Sequence, residues 1–266
     1  MFDYFYQLSD ASLLILLSSV FIIVSIIAIA IVKITIPVHI LYKDNPVIGN
    51  ISSFISIIYG VLAGLMALYL INNINYTSDA VQREGNAVAN IYRNIHWLEG
   101  PMQANMQLQI KQYIEQVVNV EWPLMEHGSP LDKKGDLIIE NLAFDIYHYT
   151  AVGHTGSLIQ NDLIDEVKTL YDARQQRIRM SFAALNPQIW VVVLLGTILS
   201  LGMNYLFGIN FRLHVVSVSA AALMAASIIY LLISLDRPFQ GDFIVEPDGL
   251  KSVLISINHD METNKK

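Results

Sequence analysis

Four long stretches without a formal charge constrain this chain more than anything else in it. Ala11 to Val32 lies between Asp10 and Lys33. A second stretch runs from about Val47 to Ile71, a third from about Gln188 to Phe207, and a fourth from Leu213 to Leu235. Each reaches the roughly 20 apolar residues that a helix needs to cross a hydrocarbon core about 30 Å thick. The composition agrees. Apolar residues make up 54% of the chain and charged residues 15%, where soluble domains carry about 25% charge. The leading segment "MFDYFYQLSD" has two Asp and neither Lys nor Arg. The first apolar run also exceeds the length of a cleaved signal, so it is predicted to be a retained span.

The expected fold class is therefore all-α: a polytopic membrane protein with four transmembrane helices and a helical bundle outside the membrane, inserted between spans two and three. Residues 1–72 form an N-terminal membrane hairpin, 73–187 the bundle, 188–235 a C-terminal hairpin and 236–266 a tail. Asn precedes Pro at 45–46 and at 186–187. Asn caps helices and Pro tolerates the first helical position, so spans two and three are predicted to start there. In the bundle, Val81, Val88, Ile91, Ile95 and Leu98 mark one helix face. Ile110, Tyr113, Ile114, Val117 and Val118 mark a second, and Leu163, Val167, Leu170, Tyr171 and Ile178 a third. A weaker helix covers about Leu131 to Tyr149. Gly100-Pro101, "HGSP" at 127–130 and "VGHTGS" at 152–157 read as turns between them. No proline falls between Val47 and Gly100, so the first bundle helix is a candidate to continue span two without a break.

Orientation rests on loop charge. The two short loops carry Lys33, Lys43 and Arg212. The positive-inside rule places them in the cytoplasm and the bundle outside. Arg174, Arg177 and Arg179, on the bundle side of span three, weigh against this.

Several chemistries are excluded or unsupported. The chain has no cysteine, which removes disulfides and thiol catalysis. Its net charge is -7, without a basic cluster, so nucleic acid is not an expected partner. The spans hold no Asp, Glu, Lys or Arg of the kind that proton-driven carriers use. The scattered histidines make no metal pair, and no cofactor or catalytic constellation is visible. The chain is not expected to be an enzyme.

The spans instead carry packing signals. Gly60 and Gly64 in "YGVLAG" are spaced for close helix approach, and "SVSAAALMAAS" at 217–227 is a second small-residue face. Such faces either pack helices within the chain or assemble subunits around a pore. For a pore, Ser52, Ser56, Ser217 and Ser219 are the candidate lining hydroxyls. In the bundle, Glu121-Trp122-Pro123 is read as a helix end with a packed indole, or as a ligand or subunit contact. Arg83, Glu84 and Arg93 are expected to be solvated. After span four comes "SLDRPFQGDF". Pro238 ends the helix near Arg237. Asp236 then sits at the negative end of the helix dipole and calls for a cation. Arg174, Arg177, Arg179 and Arg237 are the candidates, and Gly241 would let the tail turn. This reading makes the stretch a hinge clamp.

The sequence also resembles a family. "DNPVIG" at 44–49, "VQREGNAVANIYR" at 81–93, "EWP" at 121–123, "YLFG" at 205–208 and above all "LDRPFQG" at 235–241 are similar, in order and spacing, to the bacterial bestrophin-like membrane proteins. The resemblance covers nearly the whole chain. It implies four spans with a helical domain between the second and third. True bestrophins are pentameric anion channels with that domain on the cytoplasmic side, opposite to the side the loop charges indicate. The expected function is thus an oligomeric ion channel, with lipid, further copies of the chain and small ions as partners. The alternative is a non-conducting sensor or scaffold whose bundle binds a ligand or partner.

Overall fold

The computed structural model describes residues 9–36, 38–98, 100, 102–241 and 244–263. They are helical, with no strand among them. In chain order the helices are α1 (Asp10–Thr35), α2 (Val38–Ile95), α3 (Met102–Gln116), α4 (Trp122–Glu126), α5 (Lys134–His148), α6 (Gly153–Ser181), α7 (Pro187–Tyr205), α8 (Phe211–Leu235) and α9 (Asp248–Thr263). A π-helical turn, Val117–Glu121, joins α3 to α4. Among the described residues, four helices are long and apolar enough to cross a membrane: α1, α2, α7 and α8.

The chain divides into two compact units. The first holds residues 1–72, 184–237 and 241–243, and the second holds 73–183, 238–240 and 244–266. The boundary falls inside α2, which runs unbroken as a 58-residue helix.

In the membrane unit α1 packs along α8, and α7 contacts both. The small-residue face of α8 is used here. Ala222, Ala225 and Ala226 are buried, and Phe21 and Ile22 of α1 pack against the cluster that Ala222 and Ala225 form with Leu201 of α7. Small side chains let helices approach closely where lipid supplies no hydrophobic drive. α2 joins α7 through hydroxyls, with Tyr59 2.9 Å from Thr197 and Ser56 3.1 Å from Ser200. α7 starts as its sequence predicts, with Asn186 Oδ1 accepting from the Gln188 N–H and Pro187 in the first turn. α2 does not. It begins at Val38 and carries Pro46 inside. Asn45 is occupied elsewhere, accepting from the Gly208 N–H at 2.8 Å and donating to the Gly208 carbonyl at 3.3 Å. Gly208 lies so close to the backbone of Leu41 and Tyr42 that a Cβ would collide with it.

The bundle unit is built on the continuation of α2. Val88, Ile91 and Ile95 of that helix, Ile110 and Ile114 of α3, Leu142 of α5 and Leu163 and Leu170 of α6 are buried in one core. The tail helix α9 belongs to it, with Leu250 and Ile257 fully buried two turns apart. It packs close to α2 at Gly85, where a Cβ would lie in ordinary contact with the Gly249 backbone at 3.5 Å. α6 begins at Gly153, at φ 72°, so the expected turn at 152–157 is already helical at His154.

Candidate functional site

The densest polar structure lies in the bundle core, at residues whose sequence context gives little warning of it. Glu84, Glu121, Arg174 and Arg177 are each 0% exposed. Arg177 donates through Nε to Glu84 Oε2 at 2.6 Å and through Nη2 to Glu84 Oε1 at 3.0 Å. The same Nη2 reaches Glu121 Oε2 at 2.9 Å. Arg174 donates to Glu121 Oε2 at 2.6 Å and to Asp136 Oδ1 at 2.8 Å. Tyr113 completes the group with a short hydrogen bond to Glu84. Aromatic faces cover the cations: the Trp122 ring lies 5.4 Å from Arg177 and the Tyr113 ring 5.8 Å from Arg174.

Local chain geometry explains how Glu121 arrives there. A π turn adds one residue to the helical repeat, which lets two successive side chains share an inward face. Glu121 and Trp122 are both buried as a result. Pro123 follows in the first turn of α4, where its missing N–H does little harm. Gly135 at the start of α5 leaves room, because a Cβ there would run into Glu121 Oε1 and the Arg174 guanidinium.

The electrostatics follow from burial. Desolvation works against the charge of Arg177 and Arg174, but the surrounding carboxylates overcome it, and both guanidinium groups are held more firmly protonated than usual. Burial first, then the Glu84 charge, pushes the Tyr113 phenol well above its ordinary value, so it remains a donor. The expectation that Glu84 is solvated is corrected by this packing. It sits on the same side of α2 as Val81, Val88 and Ile91, and an apolar face on a sequence helix does not reveal that an arginine waits opposite.

The stretch at 235–241 is divided between the units. α8 ends at Leu235 and Asp236 is its C-cap residue. Asp236 is buried, and its Oδ1 accepts the Leu185 N–H at 2.6 Å. From Pro238 to Gln240 the chain belongs to the bundle unit. Phe239 is buried edge-on against Trp122, at 5.4 Å and 79°, and Gln240 donates to the Met125 carbonyl at 3.4 Å. The Pro238 carbonyl accepts the Val245 N–H at 2.9 Å. Gly241 has φ 94°, a left-handed conformation that glycine adopts without strain. Of the arginines named as partners for Asp236, Arg174 and Arg177 are engaged by Glu84, Glu121 and Asp136, and Arg179 is exposed.

The expected pore residues separate into two groups. Ser52 is buried and Ser56 lies 3.1 Å from Ser200 Oγ, within the membrane unit. Ser217 donates to the Leu213 carbonyl on its own helix, and Ser219 is half-buried. Gly60 and Gly64 are open, with nothing within 4 Å of a Cβ built on either. One polar group in a span was missed because histidine was counted as uncharged. His214 is 1% exposed, with Nε2 3.0 Å from the Asn204 carbonyl. No group of three metal-ligating side chains occurs among the described residues.

No curated protein matches the chain. Solved structures do. A crystal structure of a bacterial bestrophin homologue from Klebsiella pneumoniae, a single-residue variant, superposes with a TM-score of 0.63 at 12% identity, covering 92% of this chain and 98% of that one. A second variant of the same homologue gives 0.61 at 12% identity, over 91% and 98%. A structure described only as a membrane protein gives 0.63 at 11% identity, over 92% and 98%. At such identities the likeness concerns the fold. The bestrophin-like domain profile matches residues 19–250, from the first span through the "LDRPFQG" stretch and into the tail helix, and the chain therefore belongs to the bestrophin-like family.

Proposed function

We propose that this protein is one subunit of an oligomeric ion channel of the bestrophin-like type, in a bacterial inner membrane. Family membership is the observation that carries the reading. The open Gly60–Gly64 face of α2 supports it. A small-residue face that the chain itself leaves uncovered is suited to close contact with a second helix in lipid, and a pore between subunits needs such contacts. The three cations of the short loops support cytoplasmic loops and a periplasmic bundle. Reconstitution into liposomes with an ion-flux assay tests the proposal. Flux that rises with protein content supports it, and sealed liposomes at high protein content overturn it.

A second reading, a ligand-binding bundle that acts as a sensor, is favoured by one specific observation. A hollow of about 480 Å³ opens between the end of α2 and the tail helix α9, inside the bundle unit.

A further inference from the structure

The hollow between α2 and α9 is lined by Tyr92, Arg93, His96 and Trp97 on one wall and by Asp260 on the other. Its volume falls in the range of small-molecule sites, about 300–1,000 Å³. Two features set it apart from a plain surface groove. The first is aromatic. Trp97 is 69% exposed, in a unit where the other indole, Trp122, is 3% exposed. The His96 ring stands across it at 5.9 Å and 81°. The second is a pair of opposite charges that face the same hollow without meeting. Arg93 and Asp260 both line it, and no ion pair joins them among the described residues.

Arg93 has one side-chain partner on its own helix. Its Nη2 donates to Asn90 Oδ1 at 2.8 Å, and Asn90 in turn donates to Glu166 Oε1 at 2.8 Å. This relay runs toward α6, where Arg93 also borders a hollow with Asp162, Asp165 and Glu166, but a guanidinium has five donor hydrogens, which leaves donors for a ligand on the α9 side. Asp260 acts across the hollow on Tyr92, whose phenol is pushed above its usual value by burial first and by the Asp260 charge second.

We propose that this hollow binds a small zwitterion with a ring, an aromatic amino acid in chemical class. Arg93, with His96 beside it, takes the carboxylate. Asp260 takes the ammonium. Trp97 and Tyr92 hold the ring. The charges on the two walls match the two charges of the ligand, whereas an ion of either sign alone would engage only one of them. The inference rests on the sensor reading and does not require conduction.

The test uses the full-length protein in lipid nanodiscs, with L-phenylalanine as the probe and both calorimetry and tryptophan emission as readouts. Saturable binding is expected, with an emission change that Trp97→Phe removes. L-phenylalanine methyl ester lacks the carboxylate and 3-phenylpropionate lacks the ammonium. Each should bind on the order of tenfold more weakly. Arg93→Gln should abolish the preference for the amino acid over its ester, and Asp260→Asn the preference over phenylpropionate, each with unchanged melting. Failure to saturate by about 10 mM overturns the proposal. So does equal binding of the three compounds, which would mean apolar contact alone. Because no ion flux is read, either result leaves the channel proposal standing or falling by its own assay.

Discussion

Arg177 grips Glu84 with two nitrogens, Nε at 2.6 Å and Nη2 at 3.0 Å, in an environment that excludes water from both side chains. A buried ion pair is not by itself a gain in stability, because both ions lose hydration. Removing one partner is nonetheless costly, since the other stays buried and uncompensated. Glu84→Ala or Arg177→Ala should therefore destabilise the bundle by about 3–5 kcal/mol. Arg177→Lys keeps the charge but not the fork, and should lie between these and the wild type. Denaturant unfolding of the detergent-solubilised protein measures all three. Wild-type stability in Arg177→Lys would mean that the two-pronged geometry contributes nothing.

Tyr113 adds a pH signature. Its folded-state phenol is raised well above the ordinary value by burial and by Glu84. An unfolded tyrosine titrates near about pH 10. Above that pH the native state binds more protons than the unfolded one, so the stability contributed by Tyr113 is present below pH about 10 and is lost as pH rises toward its folded value. Tyr113→Phe should be less stable than wild type at neutral pH, and the gap should narrow in melts taken above about pH 10. A gap that stays constant to pH about 11 would contradict the assignment.

Asp236 is predicted to be more than a helix stop. Its carboxylate accepts the buried Leu185 N–H. Asp236→Ala leaves that donor unsatisfied and should cost about 1–3 kcal/mol. If the stretch couples the units, Asp236→Asn and Arg237→Lys should each impair stability, assembly or flux. Losing both charges should then cost less than the sum of the two separate losses. Two silent single variants would reduce this stretch to a plain terminus.

Gly60→Leu and Gly64→Leu test assembly directly. A Cβ at either position has no other part of the chain within 4 Å, and leucine is as apolar as the span requires. Insertion and monomer packing should survive while oligomers weaken. Crosslinking or mass photometry in nanodiscs reads the outcome, and unchanged oligomers in both variants would place the subunit contact elsewhere.

Topology has a direct test in reporter fusions. Fusions after Lys43 and Ile209 should report one side, the cytoplasm, and a fusion at Ser129 the other. A cytoplasmic Ser129 would overturn the loop-charge reading and give the arrangement of true bestrophins.

Much of the fold could be read from local sequence, because the forces involved are local. Four apolar stretches of spanning length need no tertiary information to be recognised, and neither does the Asn186-Pro187 start of α7. The same rule failed at Asn45-Pro46. An Asn side chain caps a helix only when nothing else claims it, and here Gly208, 163 positions away in sequence, claims it from both directions. Glu84 looked like an exposed stalk charge for a similar reason. What makes it a core residue is Arg177 at a separation of 93, together with a π turn that swings Glu121 inward. The tail helix joins the bundle core through Leu250, Val253, Leu254 and Ile257, an i, i+3, i+4, i+7 face that is legible in the sequence, but which surface that face covers is not. The sequence alone determined which segments enter lipid and which form helices, since both follow from transfer free energy and periodicity along the chain. Only the tertiary structure decided which buried charges pair, because the sign of that energy depends on partners that the fold brings within about 3 Å, where desolvation and attraction nearly cancel.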